Sequence, residues 1–425
     1  MGVTSAMQES RRAGVVQSTI SVHIRRNRSP RADRYPSICP CSTVPKKTRQ
    51  LRGESELMIV TSSLCTSDDA SPALAVSTVQ AALDRAGLRQ AQEVILFMTP
   101  EFSRQASATL TAVTRAAGCL QVFGCIGAGV ITDQACAIDR PAVAVLILAD
   151  IPTDQSTPQS PDSLTSRRPS VFSLCGKSHL PDEWINESAS GDGATQHGAI
   201  PRFGMLYNDA MSTRATPVWQ GGRLAQHDHA SLRFPGFNTT IGLSTGVSTD
   251  SPGPLVEAAE QHELIRLGGC RALDSLRDAL PPSLRQQRPL PVHCVTAVLR
   301  RHNAPPERVP ILSANGDGSV TLAAPIAIGD RIAWSLRLPA NTESDMRRML
   351  DELSNHCPQP DFGLFLSCIG RGPFFYAGED RDWALLRHRF PGMPFVGAYG
   401  SGQILSSGRQ LRLLQNSVIT ALFSA

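Results

Sequence analysis

Two segments of this chain share the pattern G-x-x-G-x-G-x-I, and the same elements surround both, which limits the fold more than any other feature. Gly124, Gly127, Gly129 and Ile131 in the first segment match Gly397, Gly400, Gly402 and Ile404 in the second. An apolar run from Glu93 to Thr99 and a helix-spaced stretch from about Arg104 to Ala117, closed by Gly118, precede the first. Asp361 to Ser367 and a helix-spaced stretch from Arg381 to Phe390 precede the second. After each segment another apolar strand arrives, Ala142 to Leu148 in one case and the run around Val418 in the other. Four matched residues are cheap, but the shared order of strand, helix, strand, Gly turn and strand is not, and it reads as a diverged duplication. The fold class predicted is α/β, with mixed sheets, flanking helices and two pseudo-duplicated modules.

The rest of the chain is placed around these modules. Leu74, Val79, Ala82 and Leu83 recur at helical spacing between Ser71 and Gly87, so a helix is expected there. Residues 151–200 are rich in Ser, Thr, Pro and Gly, which predicts an insertion or exposed loop region. Short strands are expected near Phe203 to Tyr207 and Thr240 to Leu243, and a helix from His262 to Leu280. The Pro/Gly-rich stretch at 250–254 is the boundary candidate. The predicted organisation is a tail at 1–57, one domain over 58–250 with a flexible insertion near 151–200, and a second over 255–425.

Charge separates the tail from the body. The chain has 41 Lys+Arg and 37 Asp+Glu, but residues 1–57 alone carry a net +7, which leaves −3 from Met58 onward. A tail so rich in Arg, Ser and Pro buries too little apolar surface to order itself, and is expected to be disordered or to precede the true start at Met58. The acidic body lacks the clustered cations that nucleic acid requires. Its longest apolar runs fall short of the roughly 20 residues of a membrane helix. The 11 cysteines are scattered and form no CxxC pair, which points to free thiols and a cytoplasmic location.

The motifs allow more than one chemistry. Glycines such as Gly124, Gly127 and Gly129 let backbone N–H groups approach a ligand, yet they equally permit positive φ and close strand crossing. The spacing is not the dinucleotide G-x-G-x-x-G, and a P-loop is read as absent for want of a GK[ST] triplet. The second informative stretch is SCIGRGPFFY at 367–376, directly after a buried strand, where α/β proteins place ligands. Arg371 could fork onto a ligand carboxylate, or tie its loop to an acid such as Glu379. Cys368 could be a nucleophile with Arg371 lowering its pKa and His388 as base, or a buried strand-end thiol. His227 and His229 flank Asp228 and could share a strand face, but a polar loop is the simpler account. No metal and no cofactor are predicted.

SCIGRGPFFY, FPGMPFVGAYGSGQI at 390–404 and LLQNSVI at 413–419 together resemble the C-terminal domain of the FIST family. EVILFMTPEF and VFGCIGAGVIT at 122–132 resemble its N-terminal domain, and NGDGSVTLAAPIAIGDRIAWSLR at 315–337 is similar to its paired strands. The resemblance implies a non-catalytic sensory module that binds a small ligand, an amino acid or related metabolite, and signals through an unidentified partner protein. The ligand-contacting set expected is Cys368, Gly370, Arg371, Gly372, Gly400, Gly402 and Gln403, with Gly124, Cys125, Gly127 and Gly129 from the first module. Gln403 stands where the family usually carries an acid, which removes a charge that would hold a ligand ammonium. The alternative is a cysteine-dependent enzyme using Cys368.

Overall fold

The computed structural model describes residues 58–151, 170–190, 194–195, 198–209, 214–247, 251–304, 306–407 and 410–425. The predicted tail at 1–57 lies outside the described residues. Residues 251–334 form one compact unit, and the described residues before and after them together form a second, larger one.

In the larger unit a leading strand, β1 (Ile59–Thr66), is followed by helix α1 (Pro72–Ala86). Pro72 occupies the first turn, where its missing N–H removes no bond, and Gly87 stops the helix at φ 70°. Ala75, Val79, Ala82 and Leu83 are buried along one face, as the sequence spacing predicts.

A common unit then occurs three times. In the first copy β2 (Glu93–Met98) leads through α2 (Ala106–Ala117) to β3 (Val122–Ile126), which pairs parallel to β2. A hairpin follows, β4 (Gly129–Thr132) and β5 (Cys136–Ile138), and β6 (Ala142–Ala149) returns antiparallel to β2. The second copy runs β7 (Val171–Cys175), α3 (Asp182–Ser190), β8 (Arg202–Leu206), the hairpin β9 (Val218–Gln220) and β10 (Arg223–Leu224), and β11 (His229–Arg233). Strand β12 (Asn238–Ser244) leads out to residues 251–334, and α4 (Pro339–His356) follows them. The third copy runs β13 (Phe362–Cys368), α5 (Arg381–Arg389), β14 (Phe395–Gly400), the hairpin β15 (Gly402–Ser407) and β16 (Gln410–Leu414), and β17 (Val418–Ser424).

The copies exchange hairpins in a closed cycle. The three sheets have the orders β1-β6-β2-β3-β9-β10, β11-β7-β8-β15-β16 and β12-β17-β13-β14-β4-β5. Thus the first copy's hairpin completes the third copy's sheet, the third copy's completes the second's, and the second copy's completes the first's. This is a pseudo-threefold arrangement within one chain. Its register is shared: Gly124 faces Leu96, Gly204 faces Ser173 and Gly397 faces Phe365 across the parallel pairs. A Cβ at any of these three glycines would lie 1.7 Å from the facing carbonyl oxygen.

The inner faces of the three sheets make one core. Ile95 and Phe97, Phe172 and Leu174, and Leu364 and Leu366 are equivalent pairs on β2, β7 and β13, all buried within it. The outer faces are covered separately. Helices α1 and α2 pack Val79, Leu83 and Leu110 on Val94 and Leu96 of the first sheet, and α4 and α5 pack Met346, Met349 and Leu386 on Phe365 and Tyr399 of the third. Trp184 of α3 packs on Leu206 and Ile404 of the second.

Three expectations change. The Gly segments are strands rather than turns: Gly127-Ala128 and Ser401 are the only links between β3 and β4 and between β14 and β15, because the chain steps directly from one sheet to the next. Within 151–200, residues 152–169 lie outside the described residues, but Val171–Cys175 is a wholly buried strand in the core. The helix expected from His262 to Leu280 is a strand, Glu263–Leu267, and then a shorter helix, Ala272–Ala279, because Gly268 and Gly269 turn the chain at φ 58° and 85°.

Candidate functional site

The pseudo-threefold arrangement singles out one place by comparison. At the end of β2, β7 and β13 the same hydrogen bond recurs: Thr99 N–H to Ala142 O at 3.1 Å, Gly176 N–H to Asp228 O at 2.8 Å, and Cys368 N–H to Ser417 O at 3.0 Å. On the incoming hairpins the inner-face positions are Val130, Val218 and Gln403, paired with Ala398, Cys125 and Met205. Val130 and Val218 are core residues, so two copies are apolar here and the third carries an amide. Gln403 is fully buried, accepts a 2.9 Å hydrogen bond from Ser417 Oγ through Oε1, and leaves Nε2 with no partner among the described residues. An unpaired buried donor costs about 1–3 kcal/mol, so it calls for an explanation.

Cys368, Ser417 and Gln403 meet on the inner side where the chain steps from the third sheet to the second. Cys368 Sγ lies 3.7 Å from Ser401 O, and Ser401 N–H donates to Leu206 O at 2.8 Å, which fixes the step. Burial pushes the Cys368 thiol above its ordinary pKa, while the positive charges of Arg337 and Arg371 act in the opposite sense. Gly370, which is exposed, and the half-buried Asn416 lie beside Cys368 Sγ. A Cβ on Gly370 would come within 2.5 Å of Asn416 Oδ1, the end of a side chain that can turn away.

Beneath it, a 3-10 turn at Ile369–Arg371 sends Arg371 back into the protein, where it is 1% exposed. Its guanidinium forks onto Asp382, Nε to Oδ2 at 2.9 Å and Nη2 to Oδ1 at 3.1 Å. It also donates to Ser244 O at 2.8 Å and Ser244 Oγ at 2.7 Å. Burial works against the charged guanidinium, but Asp382 outweighs it and holds Arg371 protonated. Tyr376 Oη donates to the same carboxylate at 2.9 Å. Ser244 Oγ, Thr245 N–H and Gly246 N–H converge on Asp345 Oδ2 at 2.7, 2.9 and 2.9 Å. Burial opposes the Asp345 charge, yet these bonds and Arg348 keep its carboxyl below the usual range. The Arg motif therefore joins the Cys368 loop to β12, α4 and α5.

Residues 92–269 match the FIST N domain and residues 272–406 match the FIST C domain. The chain belongs to the FIST family. The family is associated with sensory, signal-transduction roles. No curated protein matches the chain. The first two structural copies fall within the FIST N match, and the third lies in the FIST C match apart from its last two strands.

Of the residues expected to touch ligand, this FIST chain brings Cys368, Gly370 and Gln403 together with Ser417, which the motif reading had only inside a longer stretch. Arg371 is committed to the interior, and its acid is Asp382 rather than Glu379. Gly372, Gly400 and Gly402 are held by close contacts: added Cβ atoms would meet Tyr399 Cε1 at 2.9 Å, Leu206 O at 2.7 Å and Leu413 Cδ1 at 2.9 Å. Gly124, Gly127, Gly129 and Cys125 belong to the first copy, equivalent to Gly397, Gly400, Gly402 and Ala398. Gly127 and Gly129 would clash with Ala398 Cβ and Tyr399 Cδ2, each at 2.9 Å, and Cys125 is a core residue.

His388 is exposed near the end of α5. A helix that connects two parallel strands runs back toward their starts, so this end of α5 points away from the carboxyl end of β13 where Cys368 sits. His229 contacts Glu183 and Trp184, its ring 5.0 Å from the Trp184 ring. The nine described cysteines are free thiols. Among the described residues no group of three His, Cys, Asp or Glu side chains could hold a metal, and no helix is long and apolar enough to cross a membrane. The ground for excluding a P-loop is corrected: a Gly176-Lys177-Ser178 triplet does follow β7, but Val171 stands where a P-loop has its first glycine, and Lys177 pairs with Asp228 at 3.7 Å.

Proposed function

We propose that the chain is a non-catalytic sensory module whose small ligand docks at the step between the third and second sheets, against Cys368, Ser417, Gln403 and Gly370. One observation carries the reading: at three equivalent core positions two copies hold valine, and the third holds a buried glutamine whose Nε2 is left for an outside partner. A sequence that only needed a core would place an apolar side chain there, as it does twice. Arg371 is a positioning residue in this account, since its donors are taken by Asp382 and Ser244. Gly400 lets the end of β14 lie against Leu206 of the second sheet, and Gly402 lets β15 lie against Leu413 of its neighbour β16.

Among the described residues no His, Asp or Glu is hydrogen-bonded to the Cys368 thiol, and with its raised pKa and the placement of His388 this supports binding over cysteine catalysis. A cytosolic setting and a separate signalling partner remain part of the proposal. The test is a thermal-shift screen of residues 58–425 against amino acids, small carboxylates and nucleotides, since a ligand at a hundred times its Kd adds about 2.7 kcal/mol. At least one class should raise the Tm of the native chain and fail to raise that of Gln403→Met. No shift from any class, or shifts untouched by Gln403→Met, defeats the reading.

A further inference from the structure

We propose that the free edge of β11 receives an extended segment of a partner protein as an added antiparallel strand, independently of the ligand site. The strand that fits reads Thr-x-small-Leu-small, with its Leu directed at the core. The threefold comparison shows what is missing. In the first sheet β1 pairs antiparallel with the outer edge of β6, and in the third β12 pairs antiparallel with the outer edge of β17. Strand β11 is the counterpart of β6 and β17, and among the described residues its one ladder partner is β7. Burial follows the difference. Strand β6 is buried along its whole length and β17 at every residue but Ser424, whereas in β11 only Ala230 is buried and Arg233 is exposed.

The open edge keeps its hydrogen-bonding groups in register. Carbonyls alternate in direction along a strand, and Ala142, Asp228 and Ser417 aim theirs at the amides that close β2, β7 and β13. Three residues on, Val145, Ser231 and Thr420 therefore aim theirs at the opposite edge. In the two complete sheets Val145 and Thr420 face Ser63 and Gly242 of the added strand. In the second sheet Gln220 Nε2 donates to Ser231 O at 3.0 Å, a side chain standing where a strand N–H belongs.

The two strands already in place state the chemistry. In this register they are Thr61-Ser62-Ser63-Leu64-Cys65 and Thr240-Ile241-Gly242-Leu243-Ser244. Thr comes opposite the counterpart of Arg233, a small residue opposite that of Ser231, and Leu opposite that of Ala230. Leu64 and Leu243 both pack on the common core, where Leu232 of β11 is only half-buried. An open edge gives an incoming segment affinity through main-chain bonds and specificity through alternate side chains. No Thr-x-small-Leu run occurs in this chain outside the described residues, so the fitting strand is assigned to another protein.

The probe is a capped synthetic peptide of residues 238–246, Asn-Thr-Thr-Ile-Gly-Leu-Ser-Thr-Gly, added to the full chain with hydrogen exchange read at single amides. It should slow exchange of the outward N–H groups of His229, Ser231 and Arg233 and leave those of Ala230 and Leu232 as they were. The same peptide N-methylated at the residue equivalent to Gly242 should have no effect. Arg233→Pro, which removes one outward N–H without touching the ladder to β7, should weaken binding about tenfold. Gln220→Ala should tighten it about fivefold, the value of one neutral hydrogen bond no longer displaced. No slowing at β11, or equal slowing by the N-methylated peptide, overturns the proposal. So does an edge already protected in the peptide-free chain: protection independent of concentration assigns it to this chain's own remaining segments, and protection that grows with concentration assigns it to a second copy.

Discussion

Gln403→Met separates a residue kept for a ligand from one kept for the fold. In the free protein the change removes an unpaired buried N–H worth about 1–3 kcal/mol and one neutral hydrogen bond, from Ser417, worth about 1 kcal/mol. Ser417 Oγ keeps a second acceptor, Leu414 O at 3.4 Å. Methionine nearly matches the glutamine in length and suits an inner face where Val130 and Val218 occupy the equivalent places. The balance is a stabilisation of about 1 kcal/mol, a rise in Tm of about 2 °C for a unit of this size. In the same variant the ligand loses its buried partner. Paired denaturation and binding curves on one preparation check both signs. A loss of stability of about 1 kcal/mol or more with unchanged binding would refute the argument, because Gln403 would then be structural.

Other perturbations test the supporting parts. Ala at Gly124, Gly204 or Gly397 should destabilise by about 3 kcal/mol or more in each case, since each Cβ would meet a carbonyl at 1.7 Å; urea melts showing that Gly204 tolerates Ala would remove the second copy from the set. Asp382→Asn leaves Arg371 buried without its counter-charge and should cost about 3–5 kcal/mol, whereas Glu379→Gln, on an exposed residue, should change the melt little. Burial raises Glu93 from 4.5 to about 7. Its protonated form is therefore favoured by folding, and its contribution, at most about 3 kcal/mol, is present below pH 4.5 and lost as pH rises through 7. Glu93→Gln should raise Tm at pH 8 and leave it nearly unchanged at pH 4; equal effects at both pH values would show that the carboxylate is not the cause.

The duplication was legible because glycines at close sheet crossings cannot drift: Gly127 and Gly400 survive where a Cβ would press on the next strand. The second copy was hidden for the same reason turned round. It retains only Gly204, with Tyr207 and Asp209 at the two later glycine positions, and its first strand sits in a Ser/Pro-rich stretch that reads as loop. Cys368 and Gln403 were found by motif, but periodicity cannot say which of three equivalent positions is polar without the register. Asp382 carried a signal, an acid four residues before Leu386 on the buried stripe of α5. Its partner Arg371 lies across a loop, and only the fold shows that the two charges meet.

A crystal structure of the chain with the tightest binder from the screen locates the ligand. The prediction is a ligand polar atom about 2.9 Å from the end of the Gln403 amide that Ser417 does not hold, with Cys368 and Ser417 on either side. A ligand bound elsewhere, with Gln403 Nε2 still unpartnered, would contradict it.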